Sequence, residues 1–225
     1  LGFNWSDQLY HLSYGMVELP NGRMKSREGT VVDADDLIQE MIVTAAKVSA
    51  ELGKLEDFSD KEREQVNYRI ALGALKYFIL KVDPQKTMMF NPEESIDFNG
   101  NTGPFIQYTC VRIRSVERKA LEMGLQPTSI PNTTLALDQQ ERVLLKRIYQ
   151  YPDILEEAGR SLSPALLANY FYELVKEYNH FYQVCPILKE PDAEKRDFRL
   201  ALSNFIANHI QNGMGLLGIE IPERM

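Results

Sequence analysis

Apolar side chains recur at three- and four-residue intervals along most of the chain after residue 33, and this period is typical of amphipathic α-helices. The clearest stripe predicts a helix that opens at Ser163-Pro164. Its apolar positions are Leu167, Phe171, Leu174, Tyr178, Phe181 and Cys185. Alternation of period two, which marks a half-buried strand, is scarce in the same region. The pattern therefore predicts a mainly α fold, built as a helical bundle.

Capping residues, glycines and prolines set the ends of the predicted helices. The predicted spans are 33–53, 60–82, a third helix from about 104, 138–152, a fifth from 163, and 192–213. Residues 84–103 contain Asn-Pro, Asn-Gly and Thr-Gly steps, which predict a loop. Residues 9–19 are apolar and aromatic and precede a Pro-Asn-Gly turn, so they predict a short strand.

Composition narrows the class of protein. Hydrophobic residues make up 44% of the 225 positions, which is enough for a sizeable core. The formal net charge of -7 disfavours a general nucleic-acid coat, so any RNA contact must come from a local basic patch. No apolar run reaches the length of about 20 residues that spans a bilayer. Cys110 and Cys185 have no CxxC partner, and we expect reduced, buried thiols in a cytoplasmic protein.

The third predicted helix combines aromatic and cationic side chains. On a helical wheel, Phe105, Tyr108, Arg112 and Lys119 share one side, whereas the apolar positions beginning with Ile106 share another. Rings beside guanidinium groups suit unpaired RNA bases and phosphates. Aromatic residues at helical spacing are more often part of a core, however, and the pattern by itself leaves both interpretations open.

A basic loop precedes the first helix. The stretch from Asn21 to Thr30 reads NGRMKSREGT and holds three cations and a serine hydroxyl. Such a loop can close on phosphates, although the P-loop pattern is absent and most basic loops are only solvated turns.

Several segments, in order along the chain, resemble the arginyl-tRNA synthetase family of class I aminoacyl-tRNA synthetases. Residues 11–38 look like the end of a class I catalytic domain, and Met24–Gly29 is similar to the degenerate KMSKS signature Met-x-(Ser/Thr)-Arg-x-Gly. Residues 73–77 (GALKY) and 103–119 (GPFIQYTCVRIRSVERK) resemble two helical motifs of the family. Residues 163–188 and 212–225 are similar to its anticodon-binding bundle, called the DALR domain.

This resemblance implies the site residues. Met24, Lys25, Ser26 and Arg27 would bind ATP, and the last three would act in catalysis, although which of Arg23, Lys25 and Arg27 meets ATP stays open. The residues implied near the anticodon are Phe105, Gln107, Tyr108, Arg112, Tyr182 and Met225. The sequence departs from the family pattern in places: Phe105 replaces a tyrosine, Thr109-Cys110 replaces Ala-His, and Cys185-Pro186 stands near the usual position of an aromatic residue.

The resemblance also implies the domain organisation and partners. Residues 1–32 would be the end of an α/β catalytic domain, and residues 33–225 an all-α anticodon-binding domain. Since no His-x-x-His pair occurs, we expect the C-terminal part of a longer enzyme that binds tRNA but is inactive alone. The longer enzyme would use ATP with Mg²⁺ and arginine. We expect no metal site, cofactor or membrane contact in this chain, and a monomer. The alternatives are a helical module that binds proteins and a self-contained enzyme that uses ATP.

Overall fold

The computed structural model describes residues 2–19, 22–23, 33–51, 55, 57–125 and 135–225. Its helices are α1 (Ala34–Glu51), α2 (Asp60–Leu80), α3 (Pro92–Ser95), α4 (Gly103–Glu122), α5 (Gln139–Tyr149), α6 (Tyr151–Arg160), α7 (Pro164–Val184) and α8 (Ala193–Leu216). Three short strands, β1 (Val17–Leu19), β2 (Gly22–Arg23) and β3 (Met88–Met89), form a small sheet. The predicted mainly α bundle is confirmed.

Local sequence explains where the helices begin. Ser59 and Glu62 form a capping box at the start of α2, in which each side chain binds the backbone N–H of the other residue. The Thr102 hydroxyl accepts a hydrogen bond from the Phe105 N–H and caps α4. Asp192 caps α8 in the same way, through the Lys195 N–H. These caps satisfy backbone donors that have no partner inside the helix.

The structure differs from the predicted elements at three places. The helix predicted over 138–152 ends at Tyr149, and α6 begins two residues later with Pro152 in its first turn, where a proline is tolerated. The predicted strand over 9–19 is confined to β1. The predicted loop over 84–103 contains the short helix α3 and the strand β3. β3 pairs in parallel with β1, and the strand order in the sheet is β2-β1-β3.

Buried side chains form two neighbouring cores. The larger one lies among α4, α5, α6, α7 and α8 and includes the predicted stripe of α7. The smaller one lies between α1 and α2 and is closed by Phe90, Ile96 and Phe98. Tyr108 and Met225 pack against the smaller core although α4 also supplies the larger one. The side of α4 that carries Tyr108 therefore lies where the two cores meet.

Two glycines allow α2 and α4 to cross closely. A Cβ atom at Gly103 would lie 2.3 Å from the Gly73 carbonyl oxygen, and one at Gly73 would lie 2.5 Å from Nε2 of Gln107. Real Cβ atoms do not approach other atoms so closely, so a side chain at either position would force the helices apart. The GALKY and GPF segments are thus brought together by backbone contact, and this crossing sets the position of α4.

The buried cation Arg199 connects three segments. Its side chain is only 2% exposed and contacts the carboxylates of Glu141, Asp138 and Glu190 at 2.7, 2.7 and 2.6 Å. It also donates to the Pro186 carbonyl at 2.6 Å. Arg199 therefore joins the start of α5, the α7–α8 connection and α8.

Aromatic rings surround His209 between α6, α7 and α8. The ring of Tyr151 lies 4.2 Å from it in a T-shaped contact, Phe205 is stacked on it at 5.9 Å, and the Tyr170 hydroxyl is 3.0 Å from Nε2. Burial in this apolar setting lowers the pKa of His209 to about 4, because the charged imidazolium loses hydration there.

We expect stability to fall on acidification through His209. Its folded-state pKa is below the ordinary value of 6.5, so the unfolded chain takes up a proton between pH 6.5 and 4 that the folded protein excludes. This contribution is complete above pH 6.5 and is lost as the pH falls through 4. After allowance for partial exposure, it amounts to about 1–2 kcal/mol.

The measurement is the free energy of unfolding at pH 7 and pH 4.5. A His209→Gln variant should lose less stability between these two values than the unmodified chain does. The control is His180→Gln, since His180 is exposed on α7. Equal losses in the unmodified chain and in the His209 variant would contradict the prediction.

Both cysteines are free and buried, as the sequence predicted. The Cys110 thiol lies 3.5 Å from the Ala207 carbonyl oxygen, and burial raises its pKa to about 12. Burial also raises the pKa of Cys185. Neither thiol therefore loses its proton readily, and both side chains act as small apolar groups.

Candidate nucleic-acid interface

A cleft of 470 Å³ opens where α4 meets the segment before α2 and the segment after α8. Among the described residues, those that line it are Leu55, Asp57, Phe58, Tyr108, Val111, Arg112, Ser115, Arg118, Arg224 and Met225. Three of these carry a positive charge, and one side chain carries a negative charge. In a chain with a net charge of -7, the cleft is thus a local basic patch.

Arg112 lies at the centre of the aromatic residues beside this cleft. Its Cζ atom is 4.8 Å from the ring centroid of Tyr108 and 5.6 Å from that of Tyr182. Both distances are within the range of cation–π attraction. Tyr182, on α7, is 38% exposed, whereas Tyr108 and Arg112 are half-buried. The structure therefore brings together three of the residues that the resemblance implied, and none of the three is sealed inside the protein.

Phe105 lies one turn before Tyr108 and outside the lining of the cleft. Its ring is half-buried and tilted against Tyr172, with the centroids 5.9 Å apart. The Lys176 ammonium group lies 5.7 Å from the Tyr172 ring centroid. Phe105 and Tyr172 thus form a second pair of rings on the same side of α4, with a cation beside it.

The segment after α8 forms one wall of the cleft. Lys76 donates to the Gly218 carbonyl at 2.5 Å, and Arg69 pairs with Glu220 at 3.1 Å. Further along, the Arg224 guanidinium lies 4.6 Å from the ring centroid of Phe58. Met225 lies next to it and packs against the smaller core. Contacts with α2 therefore position both Arg224 and Met225 beside α4.

The side chain of Gln107 does not reach the cleft. It is 0% exposed and crosses over Gly73 at the α2–α4 contact. Its Nε2 donates to the carbonyl oxygens of Arg69 at 3.1 Å and of Glu220 at 2.7 Å. Gln107 was expected near the anticodon, but in this position it fixes the segment after α8 to α2, and we leave it out of the proposed contact surface.

The residues expected to bind ATP, Met24, Lys25, Ser26 and Arg27, lie outside the described residues. Within the described part of the chain, no group of three or more His, Cys, Asp or Glu side chains could hold a metal ion. Of the helices that the structure describes, none is both long and apolar enough to cross a membrane.

Sequence reasoning missed several residues of this surface. The Arg224 guanidinium lies over the Phe58 ring in the lining of the cleft, and no local pattern links positions so far apart in the sequence. Asn179 accepts a hydrogen bond from Arg112 at 2.9 Å, and its position three residues before Tyr182 on the same helix was the available signal. Arg118 also lines the cleft, and it was not among the residues expected near the anticodon.

Comparison with known proteins finds matches to two protein families along the chain. Residues 106–225 match the family described as "DALR anticodon binding domain", and residues 1–91 match "tRNA synthetases class I (R), catalytic domain". The chain is 58% identical over its whole length to arginine–tRNA ligases from Parabacteroides distasonis and Flavobacterium psychrophilum. It spans 38% and 37% of the length of these two relatives.

Solved structures show the same fold. The arginyl-tRNA synthetase of Thermus thermophilus superposes with a TM-score of 0.84 at 29% identity, over 96% of this chain and 35% of that one. The enzyme from Plasmodium falciparum gives a TM-score of 0.80 at 25% identity, over 99% of this chain and 37% of that one. With a DALR anticodon binding domain over more than half of its residues, the chain belongs to the arginyl-tRNA synthetase family.

Proposed function

We propose that this chain is the tRNA-binding part of an arginine–tRNA ligase, and that the cleft beside α4 receives the anticodon loop. The observation that carries the proposal is the position of the Arg112 guanidinium group between the rings of Tyr108 and Tyr182. Unpaired nucleobases stack on aromatic rings and on guanidinium planes, and each stacked base contributes about 1–3 kcal/mol. The proposed contact residues are Phe105, Tyr108, Arg112, Tyr182 and Met225.

The charges beside the cleft support an RNA partner. Arg112, Arg118 and Arg224 line a surface on which Asp57 is the one acidic side chain among the described lining residues. A backbone phosphate of an RNA loop would be attracted there, whereas the rest of an acidic chain would repel it. Few phosphates are neutralised in this arrangement, so we expect moderate affinity that falls with salt.

The activity of the longer enzyme follows from the family. It would join arginine to ATP, release pyrophosphate and transfer the arginyl group to the 3′ end of its tRNA in the cytoplasm. Met24, Lys25, Ser26 and Arg27 would bind ATP, and Mg²⁺ would accompany the nucleotide. Residues 1–32 would belong to the catalytic domain and residues 33–225 to the anticodon-binding domain. We propose a monomer that needs the remainder of the enzyme for catalysis.

The test is an Arg112→Ala substitution. We expect it to weaken binding of a transcribed arginine tRNA by about 10- to 100-fold, because a phosphate or base contact and the organisation of two rings are lost together. Binding is measured by fluorescence anisotropy at two salt concentrations. The unfolding midpoint, followed by circular dichroism, should change little, since Arg112 is half-buried at the surface.

The matched control is Arg142→Ala. Arg142 is exposed on α5 and does not line the cleft, so this variant loses the same charge at a different place. It should bind the tRNA within about twofold of the unmodified chain, as a distant surface charge is screened at physiological salt. Equal effects of the two substitutions would mean that only net charge matters, and unchanged binding by Arg112→Ala would refute the proposed cleft.

A further inference from the structure

A chain of hydrogen bonds runs from Arg112 into the protein. Its Nη1 donates to Oδ1 of Asn179 at 2.9 Å, and Nδ2 of Asn179 donates to the Thr109 hydroxyl at 3.0 Å. The Thr109 hydroxyl in turn donates to the Phe105 carbonyl at 3.0 Å. This chain of hydrogen bonds thus crosses from α4 to α7 and returns to α4.

The direction of this chain is fixed at both ends. The Phe105 carbonyl can only accept a hydrogen bond, and the Arg112 guanidinium can only donate. The Thr109 proton therefore points to Phe105, which leaves the Thr109 oxygen as an acceptor for Asn179. Reversing the Asn179 amide would place its NH₂ group against Arg112 and its oxygen against the Thr109 oxygen, and both contacts would lose their hydrogen bonds.

The chain of hydrogen bonds is protected from water at its inner end, where Thr109 lies. Thr109 is 0% exposed, and Asn179 is half-buried between α7 and α4. Water cannot easily replace the buried members, so the cost of breaking a bond is larger than at the surface. One of the guanidinium donors is thereby committed to the protein, and its bond to Asn179 is the only hydrogen bond from this guanidinium to another described residue.

From this geometry we infer that Thr109 and Asn179 are positioning residues, which hold Arg112 over Tyr108 and Tyr182 before a nucleobase arrives. The inference rests on the proposed function of the cleft. An arginine side chain otherwise samples many rotamers and must be immobilised when it binds. A side chain held in place in the free protein avoids that cost, and so binds more tightly.

The experiment compares isosteric and conservative substitutions in the full chain. Thr109→Val keeps the buried volume but removes the acceptor for Asn179, whereas Thr109→Ser keeps the hydroxyl. The probes are a transcribed arginine tRNA and the same transcript with its anticodon loop replaced. We expect Thr109→Val to weaken binding of the first probe by about tenfold, and Thr109→Ser to change it less than twofold. Binding of the second probe should not change.

A double-mutant cycle separates positioning from a general structural effect. In an Arg112→Ala background the Thr109→Val substitution should cause no further loss, because the side chain that it positions is absent. Loss of the same size in both backgrounds would overturn the inference. Asn179→Leu removes the central member of the hydrogen-bond chain and serves as a second variant if Thr109→Val fails to fold. It should give the same pattern.

The outcomes also distinguish this inference from the proposed function. Arg112→Ala without effect on tRNA binding overturns both. If Arg112→Ala weakens tRNA binding while Thr109→Val and Asn179→Leu keep full affinity, the positioning role is overturned. The proposed cleft is then unaffected.

Discussion

Replacement of Arg199 by leucine is expected to lower the free energy of unfolding by about 3–5 kcal/mol. The substitution leaves Glu141, which is 0% exposed, without its cation, and an unpaired buried carboxylate is costly. Asp138 and Glu190 lose the same partner, so three negative charges would then face each other, and among the described residues Lys195 still pairs with Asp138. Chemical denaturation, followed by circular dichroism at pH 7, gives the free energy directly.

The matched control for this prediction is Lys195→Ala. Lys195 also pairs with Asp138, at 2.7 Å, but that carboxylate is 47% exposed and the pair lies near the surface. Such a pair contributes about 0–1 kcal/mol. Similar losses in the two variants would show that burial of the cluster is unimportant.

Alanine at Gly103 is expected to destabilise the protein by about 3 kcal/mol, at the upper end of the range for overpacking. The added Cβ would meet the Gly73 carbonyl group, which belongs to the backbone of α2 and cannot turn away as a side chain can. The two helices must therefore separate. Because Gln107 follows one turn later on α4, its bonds to the Arg69 and Glu220 carbonyls should weaken as well.

Gly159→Ala provides the control for this second prediction. Gly159 lies in α6, and a Cβ atom there would meet nothing within 4 Å. Alanine should stabilise the helix by about 0.5–1 kcal/mol through its higher propensity. Opposite signs for the two glycine substitutions are the expected result in thermal denaturation. A neutral Gly103→Ala variant would mean that α2 and α4 do not approach each other as closely as the structure indicates.

The parts of the fold that the sequence predicts well are those in which a local pattern decides the outcome. The stripe on α7 and the start of α8 at Asp192 depend on residues within one or two turns of each other, and the structure confirms them. The split between α5 and α6 was less accessible, since Pro152 can either end a helix or open one. β3 could not be predicted, because two residues form a strand there only by pairing with β1.

The candidate site was predictable in part for the same physical reason. Tyr108 and Arg112 are one turn apart on α4, so a helical wheel places them together. Gln107 is buried only because Gly73 leaves room for it on α2, and that contact is invisible along the chain. The approach of Arg224 to Phe58 depends on how the segment after α8 packs, so no sequence pattern indicates it.

The burial of both native thiols has a practical consequence for studying this cleft. A single cysteine introduced at an exposed position such as Lys119 would be the one reactive group toward maleimide reagents among the described residues. A fluorophore could then be attached to the end of α4 without first removing Cys110 or Cys185. Its emission would report the arrival of RNA in real time, from a protein whose interior chemistry is unchanged.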